Sequence, residues 1–141
     1  MKTNDIDVRI DKGLISELDN QIRIHQSNEI RVTKKLLLNM GLMFIFKEIP
    51  VIEIKEKIKQ YPKSANKKRI AFRMNNPSII DQFNTTATKN EKHILIEMAL
   101  NNILGKLDAK PVNDLIIDYI KLGGVLWMLF SKNKHHIPIS H

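Results

Sequence analysis

Arg69 and Arg73 bracket Ala71 in "KKRIAFR" (67–73), and Arg9 takes the matching place of Arg73 in "DIDVRID" (5–11). An arginine side chain is a planar, permanently charged fork of N–H donors that suits carboxylates, phosphates and flat acceptor edges. Both stretches alternate polar and apolar residues, the two-residue period of a strand with one covered face. Asp5, Asp7 and Arg9 then share the open face of the first strand, and Arg69, Ala71 and Arg73 that of the second. Ile6, Val8 and Ile10, and Ile70, Phe72 and Met74, point inward. The chemistry on offer is recognition by charged side chains on an extended backbone. The plain alternative is an ordinary solvated strand face.

Catalytic and metal-binding patterns are not expected. His135, His136 and His141 lie in the polar tail "SKNKHHIPISH" (131–141) without a helical pair or a spaced carboxylate to complete a cage, and His25 and His93 stand alone. No glycine-rich phosphate loop, Gly-x-Ser-x-Gly or His-Glu-x-x-His pattern occurs. With no cysteine there is no disulfide, thiolate zinc site or cysteine nucleophile, as fits a cytoplasmic protein. The expectation is a non-enzyme without cofactor or metal.

Composition points to a polyanionic partner. The 141 residues are 43% hydrophobic, enough for a core, and carry a formal charge of +8. That charge favours nucleic acid or an anionic surface over an acidic small molecule. The excess is local: residues 47–73 hold nine cations against three acids. The start "MKTNDIDVRID" has no apolar signal core, and the runs "LLLNMGLMFIF" (36–46) and "GGVLWMLF" (123–130) are shorter than the ~18–20 residues of a membrane span, so a soluble, unprocessed chain is expected.

The two strands belong to a repeat. Leu14, Ile15, Leu18 and Ile22 match Ile79, Ile80, Phe83 and Ala87, each set one helical stripe, with Pro77 suited to a first turn and Asn75 or Asn76 as its cap. Further on, "LLLNMGLMFI" (36–45) matches "ILIEMALNNI" (94–103). Each copy reads strand, helix, helix. Neither copy buries its own faces or pairs its own strand, whereas two together do both. The organisation expected is a first unit over 1–46, a basic connector over 47–65 with a short helix between Pro50 and Pro62, a second unit over 66–104, and a C-terminal helical appendage with a polar tail over 105–141. Within the connector, Val51, Ile52, Ile54 and Ile58 are the apolar positions, and Lys55, Lys57, Lys59 and Lys63 read as a solvated face or a basic patch.

At these residues the sequence resembles the ribbon-helix-helix superfamily, the fold of the Arc and MetJ repressors, in the single-chain tandem form of TraY-type plasmid accessory proteins. The resemblance covers about 4–46 and 66–104. It implies a mainly α fold with a short two-stranded antiparallel ribbon, two units forming an intramolecular pseudo-dimer, and sequence-specific binding of double-stranded DNA with the ribbon in the major groove. The base-reading residues carried over are Asp7, Arg9, Arg69, Ala71 and Arg73. Arginine suits a guanine edge, aspartate a cytosine amine and alanine a thymine methyl. If Asp7 and Ala71 are central, Asp5 falls opposite Arg73, to orient it, and Arg9 opposite Arg69. The family's phosphate clamp is the start of the second helix, here Thr33, Lys34 and Lys35 in "RVTKK" (31–35) and Lys89, Asn90 and Lys92 in "TKNEKH" (88–93). Lysines at such positions are also plain surface.

The resemblance leaves out "KPVNDLIIDYIKLGGVLWMLFSK" (110–132), read as a helix over 111–121 ended by Gly123 and Gly124, then an apolar segment with Trp127, Leu129 and Phe130. That part either packs over the helix at 36–46 or contacts a protein partner or a second copy. Two functions follow: a DNA-binding transcriptional regulator or plasmid transfer or partition accessory factor, or an interaction module, such as an antitoxin-like protein that grips a partner.

Overall fold

In a computed structural model, described for residues 4–26 and 30–124, the chain is mainly helical with one two-stranded antiparallel sheet. The elements run β1 (Asp5–Asp11), α1 (Lys12–His25), α2 (Lys34–Glu48), α3 (Val51–Lys59), β2 (Lys67–Arg73), α4 (Pro77–Thr86), α5 (Lys92–Ala109) and α6 (Val112–Lys121). The order strand, helix, helix occurs twice, with α3 between and α6 after.

The strands pair with Asp5 opposite Arg73, Asp7 opposite Ala71 and Arg9 opposite Arg69. This is the register in which Asp7 and Ala71 sit at the middle. Ile6, Ile10, Ile70 and Met74 are buried, Val8 and Phe72 are partly covered, and Asp5, Asp7, Arg9, Arg69, Ala71 and Arg73 are all exposed. The alternation in the sequence is therefore the alternation of the faces.

Side-chain caps set where α1, α2 and α4 begin. Asp11 ends β1 and caps α1, its Oδ2 accepting from Leu14 N at 3.1 Å. Asn76 caps α4 through Ser78 N at 2.9 Å, with Pro77 in the first turn. Thr33 caps α2, its Oγ1 accepting from Leu36 N at 3.1 Å. The Gln26 side chain both accepts from Val32 N and donates to Val32 O, fixing the approach to that cap. Each cap satisfies a donor that the helix cannot pair internally.

The core is built around α2 and α5. Every residue from Leu36 to Phe46 is buried, so α2 is surrounded on all sides and shows no polar face. It packs along α5, where Leu95 to Leu100, Ile103 and Leu107 are buried. The helices meet at Gly41, where any Cβ would run into the Ala99 carbonyl. Ile15 and Leu18 of α1, Ile79, Ile80 and Phe83 of α4, and Leu115, Ile116 and Tyr119 of α6 close the remaining sides.

Two buried polar residues, at matched places in α2 and α5, hold the ends of the strands. Asn39 Oδ1 accepts from Asn75 N at 3.0 Å and its Nδ2 donates to Arg73 O at 3.0 Å, so α2 grips the end of β2. Glu97 Oε2 accepts from Asp11 N at 2.8 Å, so α5 grips the end of β1. Each strand is thus tied to the long helix of the other half of the chain.

The connector helix buries Ile54 and Ile58 as its pattern predicts, but Val51 and Ile52 are exposed, Ile52 at 77%. They occupy the first turn beyond Pro50, one turn too early to reach the core. The appendage helix α6 packs against α2 and α5. It ends at Gly123, whose φ of +97° favours glycine, with Gly124 N bonded to Tyr119 O at 2.8 Å. Trp127, Leu129 and Phe130, and His135, His136 and His141, lie outside the described residues.

Candidate functional site

The exposed face of the ribbon is an arginine–carboxylate lattice. Asp5 takes two hydrogen bonds from Arg73 directly across the sheet, from Nε at 2.9 Å and Nη2 at 3.2 Å. Asp7 takes two from Arg69, Nε and Nη2 both at 2.7 Å. That second pair is diagonal, since Asp7 faces Ala71. Arg9 and Arg69, opposite each other, would repel; Arg69 leans to Asp7 while Arg9 Nη2 donates to Lys67 O at 3.2 Å.

These contacts leave a usable edge. A carboxylate held by Nε and Nη2 occupies the side of the guanidinium and leaves both Nη1 protons and one Nη2 proton directed along the end of the side chain. That end is the part that meets an acceptor pair such as a guanine edge. The pairs also fix rotamers before any ligand arrives, lowering the ordering cost of binding. The Arg69 hydrogen bonds hold the Asp7 carboxyl below its usual range and raise Arg69 further. Both side chains are more than half exposed, so the pair itself adds little to stability.

The starts of the long helices flank this face. Asn39 Nδ2 also bonds Lys35 O at 2.7 Å, which places the first turn of α2 beside the Arg73 end of the ribbon. Lys89 lines an open concavity with Asp7, Val8, Arg9, Lys67, Arg69 and His93, at the opposite end. The lysines differ in what holds them. Lys34 Nζ lies 3.6 Å from Asp19 Oδ1. Lys92 bonds Asn84 Oδ1 of α4 at 3.3 Å, over the Phe83 ring. Thr33 spends its hydroxyl on the cap. Lys89 and Asn90 are exposed in the turn before α5, where Thr88 N bonds Glu91 Oε1 at 3.0 Å.

Four residues with a part in this region escaped the sequence reading. Lys67 has the same strand parity as Arg69 and Arg73, a signal that was present. Tyr61, Ser64 and His93 arrive from the connector and α5, and only the fold brings them together. Among the described residues no group of three or more His, Cys, Asp or Glu is arranged to hold a metal ion, and no helix is long and apolar enough to cross a membrane.

No family profile, curated protein or solved structure matches the chain.

Proposed function

We propose that this chain binds duplex DNA by laying the β1–β2 ribbon in the major groove, as a transcriptional regulator or an accessory factor in plasmid transfer or partition. The observation that carries the reading is the pair of arginines buttressed side-on by Asp5 and Asp7, with their donor ends directed away from the helices. The groove admits a two-stranded ribbon, and its base edges offer the acceptor pairs such ends match. In this reading the two strand–helix–helix halves form a ribbon-helix-helix pseudo-dimer within one chain. The crossed grips of Asn39 on β2 and Glu97 on β1 support it, because each half supplies the tie that the other needs. Asp5 and Asp7 are positioning residues here, Arg9, Arg69, Ala71 and Arg73 face the bases, and Lys34, Lys35 and Lys89 meet phosphates.

Affinity for duplex DNA, measured at ~50 and ~200 mM salt, falls steeply between the two as lysines and arginines release counterions. After selection of a preferred site from random duplexes, Arg69→Ala and Arg73→Ala each cost ~1–3 kcal/mol there and flatten preference at one position. Lys89→Ala weakens all sequences alike and lowers the salt slope by about one. Arginine variants that retain full discrimination remove the ribbon as the reader. A second reading, a module that grips a protein partner, draws on the exposed Ile117, Ile120 and Leu122 of α6. Absence of any DNA binding at ~50 mM salt decides for it.

A further inference from the structure

A cavity of about 320 Å³ opens between the end of the connector, the start of β2 and the first turns of α5. Its size falls at the lower end of small-molecule pockets. Tyr61, Pro62 and Ile94 give it apolar walls, and Lys67, Asn90 and His93 add three polar side chains to the lining. Glu97 also lines it, already committed to Asp11 N at 2.8 Å, and the Tyr61 hydroxyl accepts from Asn101 Nδ2 at 3.1 Å.

The three polar groups have nothing to hold. Among the described residues, Lys67 forms no ion pair, and neither the Asn90 amide nor the His93 ring forms a side-chain hydrogen bond. His93 is half-buried, and burial together with the Lys67 ammonium lowers its pKa, keeping the ring neutral at pH 7 with one N–H to donate. Two half-buried donors, Lys67 and His93, and the exposed Asn90 amide around one concave site are an arrangement that a ligand completes. Lys63 at the rim adds a second cation, so the pocket is electropositive despite Glu97.

We propose that this pocket is a binding site for a small organic anion, a phosphate or carboxylate on a compact apolar body. The anionic oxygens take the Lys67 ammonium, the Asn90 amide and the His93 N–H, and the body lies against Tyr61, Pro62 and Ile94. The site does not depend on the DNA reading and stands if that reading fails. It adjoins the ribbon, because Lys67 and His93 also line the concavity that contains Arg9, Arg69 and Lys89. Lys67 further accepts the Arg9 guanidinium on its carbonyl, so an anion that orders Lys67 orders the strand end beside a reading residue.

The test uses the full chain without DNA, with phenyl phosphate as probe and the His93 ring followed by NMR. Phenyl phosphate is expected to shift the His93 ring signals saturably below 10 mM and to raise the pH at which the ring titrates, since a bound anion favours the imidazolium. Lys67 and Glu97 act most directly on that ring, with Lys63 on the pocket side and Asp7, Arg9, Arg69 and Lys89 on the ribbon side, so its midpoint is read again in Lys67→Met and Glu97→Gln. Inorganic phosphate, lacking the apolar body, binds at least tenfold more weakly. Lys67→Met weakens phenyl phosphate at least tenfold, whereas Lys55→Met, on the outer face of α3, leaves it unchanged. His93→Gln, followed through the Asn90 amide, weakens it several-fold and provides a second readout. The proposal is overturned if the shifts rise linearly to 10 mM, or if the Lys67 and Lys55 variants lose affinity equally, which marks diffuse attraction to a basic surface.

Discussion

Asn39 and Glu97 occupy matched places in α2 and α5 and perform the same backbone task with opposite chemistry. Asn39 is both donor and acceptor: it takes Asn75 N and gives to Arg73 O and Lys35 O. Glu97 only accepts, from Asp11 N. The Asn39 end is closed by backbone alone. Beside the Glu97 end stands the Tyr61 phenol of the connector, pushed up by burial and then by the Glu97 charge, its oxygen accepting from Asn101 Nδ2 at 3.1 Å. The acid in α5 therefore meets both the strand end and the connector, and the pocket opens between them.

The severest way to break the equivalence of the two long helices is at their crossing, where α2 has Gly41 and α5 has Ala99. A side chain at 41 meets the backbone carbonyl of Ala99, which no rotamer change relieves. Gly41→Val is expected to cost about 3 kcal/mol or more, read as a fall in the urea midpoint, while Ala99→Gly costs about 1 kcal/mol through helix propensity. Equal losses in the two variants place the crossing elsewhere.

The strand ties are expected to rank next and to separate cleanly. Asn39→Asp turns a donor into an acceptor against the carbonyls of Lys35 and Arg73, in a site only 2% exposed, for a loss of about 2–3 kcal/mol at pH 7. Burial raises the pKa of the introduced carboxyl, so its penalty is full above that value and shrinks as pH falls and the acid regains a proton to donate. Glu97→Gln keeps an acceptor for Asp11 N, so the loss stays below about 1 kcal/mol. A pH-independent penalty for Asn39→Asp contradicts the donor role of that amide.

Much of this was legible in the sequence because it rests on period and cap chemistry. The alternation of Ile6, Val8 and Ile10 with Asp5, Asp7 and Arg9 gave the open face, and the observed register is the one that follows if Asp7 and Ala71 are central. The run from Leu36 to Phe46 announced a helix covered all round. What escaped depends on distance in three dimensions. The Asp7–Arg69 pair is diagonal, and choosing it over a straight rung follows from the Arg9–Arg69 repulsion once strand twist is present. The contacts of Lys92 with Phe83 and Asn84 of α4 are of the same kind, set by the packing of α4 beside α5. His93 read as isolated because Tyr61 of the connector and Lys67 of β2 share its pocket only through the fold; Glu97, one turn on in α5, was visible in the sequence.

The smallest expected effect separates the two strands, since β1 supplies the carboxylates of the exposed face and β2 two of its three arginines. Asp7 and Asp11 are both held below the usual carboxylate value of 3.8, Asp7 chiefly by Arg69 and Asp11 chiefly by the Ser64 hydroxyl and then by Leu14 N. A depressed carboxyl contributes stability that is fully present above its unfolded pKa and is lost as pH falls through the lower folded value. The contribution is thus intact at pH 5 and declines below pH 3.8. Asp7→Asn removes the charge pair and Asp11→Asn keeps a cap while losing the charge. The gap in urea midpoint between the native chain and Asp7→Asn is expected to be small at pH 5, to close below pH 3.8, and to narrow with added salt because the pair is exposed. The Asp11→Asn gap closes over the same pH window but responds less to salt, its partners being a hydroxyl and a backbone amide. A gap that persists unchanged to pH 2.5, well below 3.8, means that Asp7 acts through packing on the ribbon and not through the Arg69 fork.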